Sequence, residues 1–129
     1  MTPVVISTTS ADVSLGADGI LRTRVLRSGR QTVGSARENL AAWNTLSPDH
    51  RRPMVVDLRD MNTAIDRDAR LFYASSEVAP RVTAVALLVG SAASRLVGNF
   101  FVAVSRPAMP LKVFTNEAQA LGWLADYCE

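Results

Sequence analysis

The 129-residue chain is poor in most of the side chains on which chemistry is usually built. It has one cysteine, Cys128, which excludes an internal disulfide and a cysteine-based metal site and fits a reducing compartment. Its one histidine, His50, lies in a polar stretch with nothing around it to make a Ser-His-Asp or Cys-His pair. Its one lysine, Lys112, leaves thirteen of the fourteen basic residues as arginine, which reads as coding bias. Neither sign of charge prevails: fourteen basic against twelve acidic residues give +2, spread along the chain, whereas a nucleic-acid surface needs clustering. The one local run, His50-Arg51-Arg52, reads as a solvated loop before a strand. The N-terminus has neither a basic start nor a long apolar run, so no secretory signal is expected and the expected location is the cytoplasm.

A membrane span has one place to be tested, residues 84–104, with a single charge at Arg95. A central arginine costs roughly 2.5–3.5 kcal/mol on insertion scales. Asn99 adds a polar amide, and Gly90-Ser91 divides the stretch into unlike halves. It therefore reads as a buried strand followed by a helix, with no membrane span.

What is present is enough for one globular domain over 1–129, at 48% hydrophobic and 20% charged, with 1–11 more loosely ordered. Residues 13–15 and 20–26 flank Gly16-Ala17-Asp18-Gly19 and predict an antiparallel hairpin; Arg22 and Arg24 share its wet face, and Leu21, Thr23 and Val25 the other. Val33, Ala36, Leu40 and Trp43 form one helical stripe ending near Pro48. Residues 53–58 and 84–89 are short, β-branched and apolar on both faces, as covered parallel strands must be. Between them, Asp66 caps a helix to about Glu77 with Ala69, Phe72, Tyr73 and Ser76 inward. In 92–105 the residues Ala93, Leu96, Val97, Phe100, Phe101 and Val104 share an arc, while Arg95, Gly98, Asn99 and Val102 look away. Residues 111–114 make a last strand, and Thr115 caps a final helix with Leu121, Leu124, Ala125 and Cys128 inward and Trp123 and Tyr127 on another face. The fold class is α/β: a mixed sheet, parallel in its centre, with an N-terminal antiparallel hairpin and about four helices.

This order of elements, with Val55-Val56-Asp57-Leu58-Arg59, Ala69-Arg70, the strand 84–89 with Gly90-Ser91, and Ser94-Arg95-Leu96-Val97-Gly98-Asn99-Phe100-Phe101, resembles SpoIIAA-like (STAS-like) domains. More narrowly it resembles small bacterial STAS/SEC14-like proteins of unknown function. The resemblance covers roughly 12–127 and carries no activity. It implies either a regulatory protein-binding module or a carrier of lipid-like ligands. Regulatory members hold a phosphorylatable serine at the start of the second helix; here that place is Asp66-Arg67-Asp68-Ala69, without a hydroxyl, and Thr63 is the nearest alternative.

Asp57, Asp60, Asp66 and Asp68 could pair for acid–base work or hold a hard cation, but Arg59, Arg67 and Arg70 are interleaved with them and neutralise them. No catalytic residue, metal or cofactor is expected. The sharper candidate is a crevice at the carboxyl ends of the two central strands, lined by Arg59, Asp60 and Asn62 from one and Ser91, Ser94 and Arg95 from the next. Helix amides and an arginine could hold an anion there, against the plainer reading that Ser91 caps a helix and Arg95 meets an aspartate. A second candidate is an interface or lid on the 92–105 helix, comprising Gly98, Asn99, Phe100, Phe101 and Val102. The expected function is non-catalytic: a module binding a protein partner as a homodimer, or, in the alternative, a small carrier or sensor of an apolar, lipid-like ligand.

Overall fold

The computed structural model describes residues 4–27, 30–61, 65–90, 95 and 109–128. In chain order the elements are β1 (Val5–Ser7), β2 (Ala11–Leu15), β3 (Leu21–Val25), α1 (Val33–Leu46), β4 (Arg52–Asp57), α2 (Arg67–Tyr73), a 3-10 turn (Ala79–Arg81), β5 (Val82–Leu88), β6 (Leu111–Phe114) and α3 (Glu117–Ala125). The six strands form one sheet in the order of the chain. The pairs β1–β2 and β2–β3 are antiparallel, and β3–β4, β4–β5 and β5–β6 are parallel. The mixed sheet with a parallel centre is thus as the sequence predicts. Three α-helices lie among the described residues, against about four expected; the missing one falls on 92–105, outside them apart from Arg95, which is helical and exposed.

The hairpin forms where the turn chemistry requires it. Gly19 takes a φ of 81°, open to glycine at little cost, and the Asp18 carboxylate accepts from the Ile20 N–H at 3.1 Å. Val5–Ser7, within the segment expected to be loosely held, adds an edge strand outside β2. Three residues, Thr8, Thr9 and Ser10, link the two strands, with the Thr8 N–H donating to the Ala11 carbonyl.

Strand alternation then sorts the side chains. One cross-strand row reads Ile6, Val13, Thr23, Val56, Leu87, Val113. It faces α1 and α2, which connect successive parallel strands by crossovers of one hand and so fall on one side. The next row, Ser7, Asp12, Arg24, Asp57, Leu88, Phe114, faces α3. Between Arg52 and Met54 the register with β5 slips by one, so Val82 joins the α1 side and Ala84 the α3 side.

Thr23 is the polar member of the apolar row, and Trp43 satisfies it: Nε1–H donates to Thr23 Oγ1 at 2.9 Å, and that hydroxyl points on to Met54 Sδ at 3.4 Å. α1 starts at a capping box in which Thr32 Oγ1 accepts from the Ser35 N–H and Ser35 Oγ from the Thr32 N–H. Its inward stripe is Ser35, Ala36, Asn39, Ala42 and Trp43, with Leu40 half-buried and Val33 exposed. The stripe is rotated from the expected one because Asn39 is buried, its Nδ2 donating to Ser10 Oγ at 3.1 Å and Tyr73 OH at 3.0 Å while its Oδ1 accepts from Thr8 Oγ1 at 2.7 Å. That amide ties the β1–β2 turn to both helices.

Further differences have physical causes. α2 ends at Tyr73, not near Glu77: Ser75 Oγ donates to the Phe72 carbonyl at 2.6 Å, a side-chain bond that competes with another helical turn, and Ser76 is left exposed. Asp66 precedes α2 without a side-chain cap bond. α3 is capped by Asn116, whose Oδ1 accepts from the Gln119 N–H at 3.0 Å, and not by Thr115. Ala120 and Leu124 are buried beneath it, with Leu121 packed beside them as expected, but Ala125 and Cys128 are exposed. Trp123 and Tyr127 lie against the sheet instead, Trp123 stacking between Phe114 and Tyr127 at centroid separations of 5.6 and 5.0 Å. Large aromatic surfaces remove more apolar area from water than Ala125 could, and they set the helix's rotation. Among the described residues no helix is long and apolar enough to cross a membrane.

Candidate functional site: a half-open sheet face and an apolar cavity

Among the described residues, α3 packs over β4 to β6 on its side of the sheet, and no other helix lies there. Over β1 to β3 the same face is lined by Ser14 and Arg22 in one row and Asp12 and Arg24 in the next. A groove of about 360 Å³ runs there, bounded by these four residues and by Asp57, Arg59 and Glu117. It begins at the carboxyl end of β4, where the sequence placed a crevice.

Arg59 is its organising group. Its Nε and Nη2 donate to the two oxygens of Asp57 at 3.0 and 2.8 Å, Nη2 also lies 3.7 Å from Glu117 on α3, and its own N–H donates to Asp57 Oδ1 at 3.0 Å. A methyl group on Gly90 would come within 3.2 Å of Arg59 Cγ, so the stem of the arginine lies against the end of β5. The carboxyl ends of β4 and β5 do meet around Arg59, as expected for neighbouring parallel strands. Burial pushes the Asp57 carboxyl up, but the Arg59 hydrogen bonds and the charges of Arg59 and Arg24 outweigh it and hold the carboxyl below its ordinary range. Asp60 is taken by Arg24 from β3 at 3.4 Å, and Asp18 by Arg22 at 2.8 Å. The groove is therefore lined by charges that already have partners: a polar surface, with no free cation among these three arginines for an anion.

Of the remaining expected residues, Asn62, Ser91 and Ser94 lie outside the described residues, and so do Gly98, Asn99, Phe100, Phe101, Val102 and Thr63. Asp60 is not among the residues bounding the groove; it pairs across to Arg24 of β3, a partner the local interleaving with Arg59, Arg67 and Arg70 did not indicate. Glu117 and Asp12 were missed. The alternation of Arg22 and Arg24 on β3 was the available signal for the groove; Glu117 had none, because only α3's placement brings it there. In the basic run 50–52, His50 and Arg51 are exposed just before β4, as a loop ahead of a strand should be, whereas Arg52 is the first residue of β4 and donates to Ser47 Oγ at 2.8 Å; Arg51 donates to the Val82 carbonyl at 3.0 Å. Both guanidinium groups are engaged by the fold's own acceptors.

On the other face, between the sheet and α1 and α2, lies an apolar cavity of about 90 Å³ bordered by Met54, Val56, Leu87, Leu111, Trp43 and Tyr73. Its polar neighbours are engaged: Asn39 and Thr23 as above, and no buried side-chain polar atom among the described residues lacks a partner. Burial pushes the Tyr73 hydroxyl up, against the hydrogen bond from Asn39. Ligand pockets usually measure about 300–1,000 Å³. This cavity is several-fold too small for an acyl chain without rearrangement.

Among the described residues no three His, Cys, Asp or Glu side chains are gathered as a metal would need. Among solved structures, an uncharacterized protein of the DUF3478 family with a SpoIIAA-like fold, from Shewanella loihica PV-4, matches at a TM-score of 0.63 and 13% identity over 96% of each chain, a likeness of fold alone. A protein with unknown function from Arthrobacter sp. FB24 is 32% identical over 93% of this chain and 96% of that one, at a TM-score of 0.32. No curated protein matches. A family model, the domain of unknown function DUF7793, matches residues 14–128, and the chain, with its SpoIIAA-like mixed sheet, belongs to that family.

Proposed function

We propose that the chain is a non-catalytic cytoplasmic interaction module that binds a protein partner as a homodimer, using the uncovered half of its sheet as the partner surface. The observation that carries this reading is the asymmetry of coverage. Among the described residues, α1 and α2 lie on one sheet face, while on the other α3 lies over β4 to β6 and none lies over β1 to β3, where paired charges line a groove of about 360 Å³. Paired charges on an open face suit a protein surface with its own charges, because they give orientation and discrimination at modest desolvation cost. Light scattering tests the homodimer, and a monomer at high concentration removes it. Capture from a cell extract with wild-type protein and with Arg22→Glu/Arg24→Glu tests the face: a protein held by the first and lost by the second supports it, and identical captures sink it.

The apolar cavity favours a second reading, a carrier or sensor of an apolar ligand. Its volume restricts that ligand to a few heavy atoms unless the helices part. Native mass spectrometry of protein purified from cells separates the two readings, since a retained small-molecule mass supports the carrier and a bare chain mass opposes it.

A further inference from the structure

The two edges of the sheet are defended differently. β6 carries the charged Lys112, exposed, and follows Pro110, and both features discourage another strand from pairing. β1 has neither. No charged side chain occurs in residues 1–11, and Val4 and Val5 are 70% and 53% exposed.

The hydrogen bonding of β1 fixes which groups face outward. The Thr8 N–H donates to the Ala11 carbonyl at 2.8 Å, closing the β1–β2 turn. Antiparallel ladders alternate, so Ile6 bonds inward to Val13, its register partner, and the N–H and C=O groups of Val5 and Ser7 point away from β2. Among the described residues these four backbone groups have no strand partner and form the outer edge of β1.

We propose that β1 is the homodimer contact: β1 of a second copy pairs antiparallel with it about a twofold axis at Ile6, joining two six-stranded sheets into one of twelve. This rests on the homodimer of the reading above and assigns its site. In that register Val5 lies opposite Ser7 of the second copy, and the two symmetry-related pairs form four N–H···O=C bonds that use every outward group of the strand. Ile6 meets Ile6, and Val4 is covered opposite Thr8. A copy of the same strand is the occupant that the charge pattern suits, since an uncharged strand offers no like charges to oppose its twin. Pairing also brings the two open half-faces side by side, so that one continuous surface, flanked by two copies of α3, becomes available to a partner. Three-residue strands bury less than the roughly 1,200 Å² of a tight interface, so the dimer is concentration-dependent.

The test is light scattering and native mass spectrometry on the full chain, wild type, Val5→Lys/Ser7→Lys and Val5→Glu/Ser7→Glu. Each double variant places like charges opposite one another in both symmetry-related pairs. The expected result is a two-chain mass for wild type at high concentration, a one-chain mass for each variant alone, and a mixed dimer with one of each chain when the variants are combined. A Lys variant as dimeric as wild type overturns the β1 contact while leaving the homodimer standing. A monomeric wild type overturns both. Variants that remain monomeric when mixed overturn the register. Should a variant fail to fold by circular dichroism, wild-type amide exchange still decides: Val5 and Ser7 N–H groups must slow as concentration rises, and unchanged rates refute the pairing.

Discussion

Replacing Asn39 by alanine should destabilise this protein more than any exposed polar substitution on α1, because a buried amide here joins three separate segments. The side chain is 1% exposed and makes three side-chain hydrogen bonds, to Thr8, Ser10 and Tyr73, at 2.7, 3.1 and 3.0 Å. Each such bond is worth about 1 kcal/mol net, and stranding a buried partner costs about 1–3 kcal/mol. Thr8 keeps partners in the turn, since Oγ1 accepts from the Ser10 and Ala11 N–H groups. Ser10, fully buried, and Tyr73 lose their amide. The sum is about 3–4 kcal/mol, which corresponds to a fall in melting temperature of roughly 10 °C or more for a chain of this size. Urea unfolding at neutral pH, with exposed Asn44→Ala as the control at about 0.5 kcal/mol or less, measures it. Combining Asn39→Ala with Tyr73→Phe should give a coupling of about 0.5 kcal/mol or more, since the two share a bond. A loss below about 1 kcal/mol, or strict additivity with Tyr73→Phe, would refute the claim that this amide holds the turn to both helices.

The remaining predictions concern the core, the hairpin and the groove. Leu124→Ala, at a fully buried position beneath α3, should cost about 2–5 kcal/mol in the same urea assay, while Ala125→Ser should cost little. Gly19→Ala forces a side chain to a φ of 81° and should cost about 1–2 kcal/mol by thermal melting, with the hairpin turn still formed. Asp57 has a depressed carboxyl pKa in the folded state, so its contribution is present above the unfolded value near 4 and is lost as pH falls through the lower folded value. Asp57→Asn should therefore lose less stability than wild type between neutral pH and pH about 3, and equal losses in urea midpoint would show that the Arg59 pair has no such effect. The Tyr73 hydroxyl is raised instead, so its contribution is whole below about pH 10 and falls above it; Tyr73→Phe should flatten the alkaline limb of a pH–stability curve.

Arrangement within the sheet was largely legible from one dimension. Alternation in 20–26 separated the wet arginines from Leu21, Thr23 and Val25, and the two-sided apolar runs marked β4 and β5 as covered parallel strands, because a strand with helices on both faces has no polar side to display. β1 escaped notice because three residues with a short turn give no periodicity to count. The helices were read less well at their rotation and ends. Asn39 on α1 is a polar residue inside, and pattern reading assigns polar residues outward; it can stay buried only because Thr8, Ser10 and Tyr73 arrive from elsewhere. On α3 the aromatic faces of Trp123 and Tyr127 compete with Ala125 and Cys128 for the sheet, and the winner depends on Phe114 being in reach.

The candidate site divides in the same way. Arg59 and Asp60 stood out at the end of a strand, where parallel sheets bring functional groups together. Their partners did not: Arg24 reaches Asp60 across thirty-six residues, and Glu117 approaches Arg59 only because α3 folds back over β4 and β5. The amino-acid order alone determined the types of β2 to β6 and of α1, α2 and α3, the parallel centre and the wet face of β3, since each follows from local periodicity, turn chemistry and hydrophobic burial. Which charges neutralise each other, which helix face is inward, and which strands α3 lies over were decided only by tertiary structure. Those outcomes depend on distances between segments far apart in the chain, and no local pattern carries a distance.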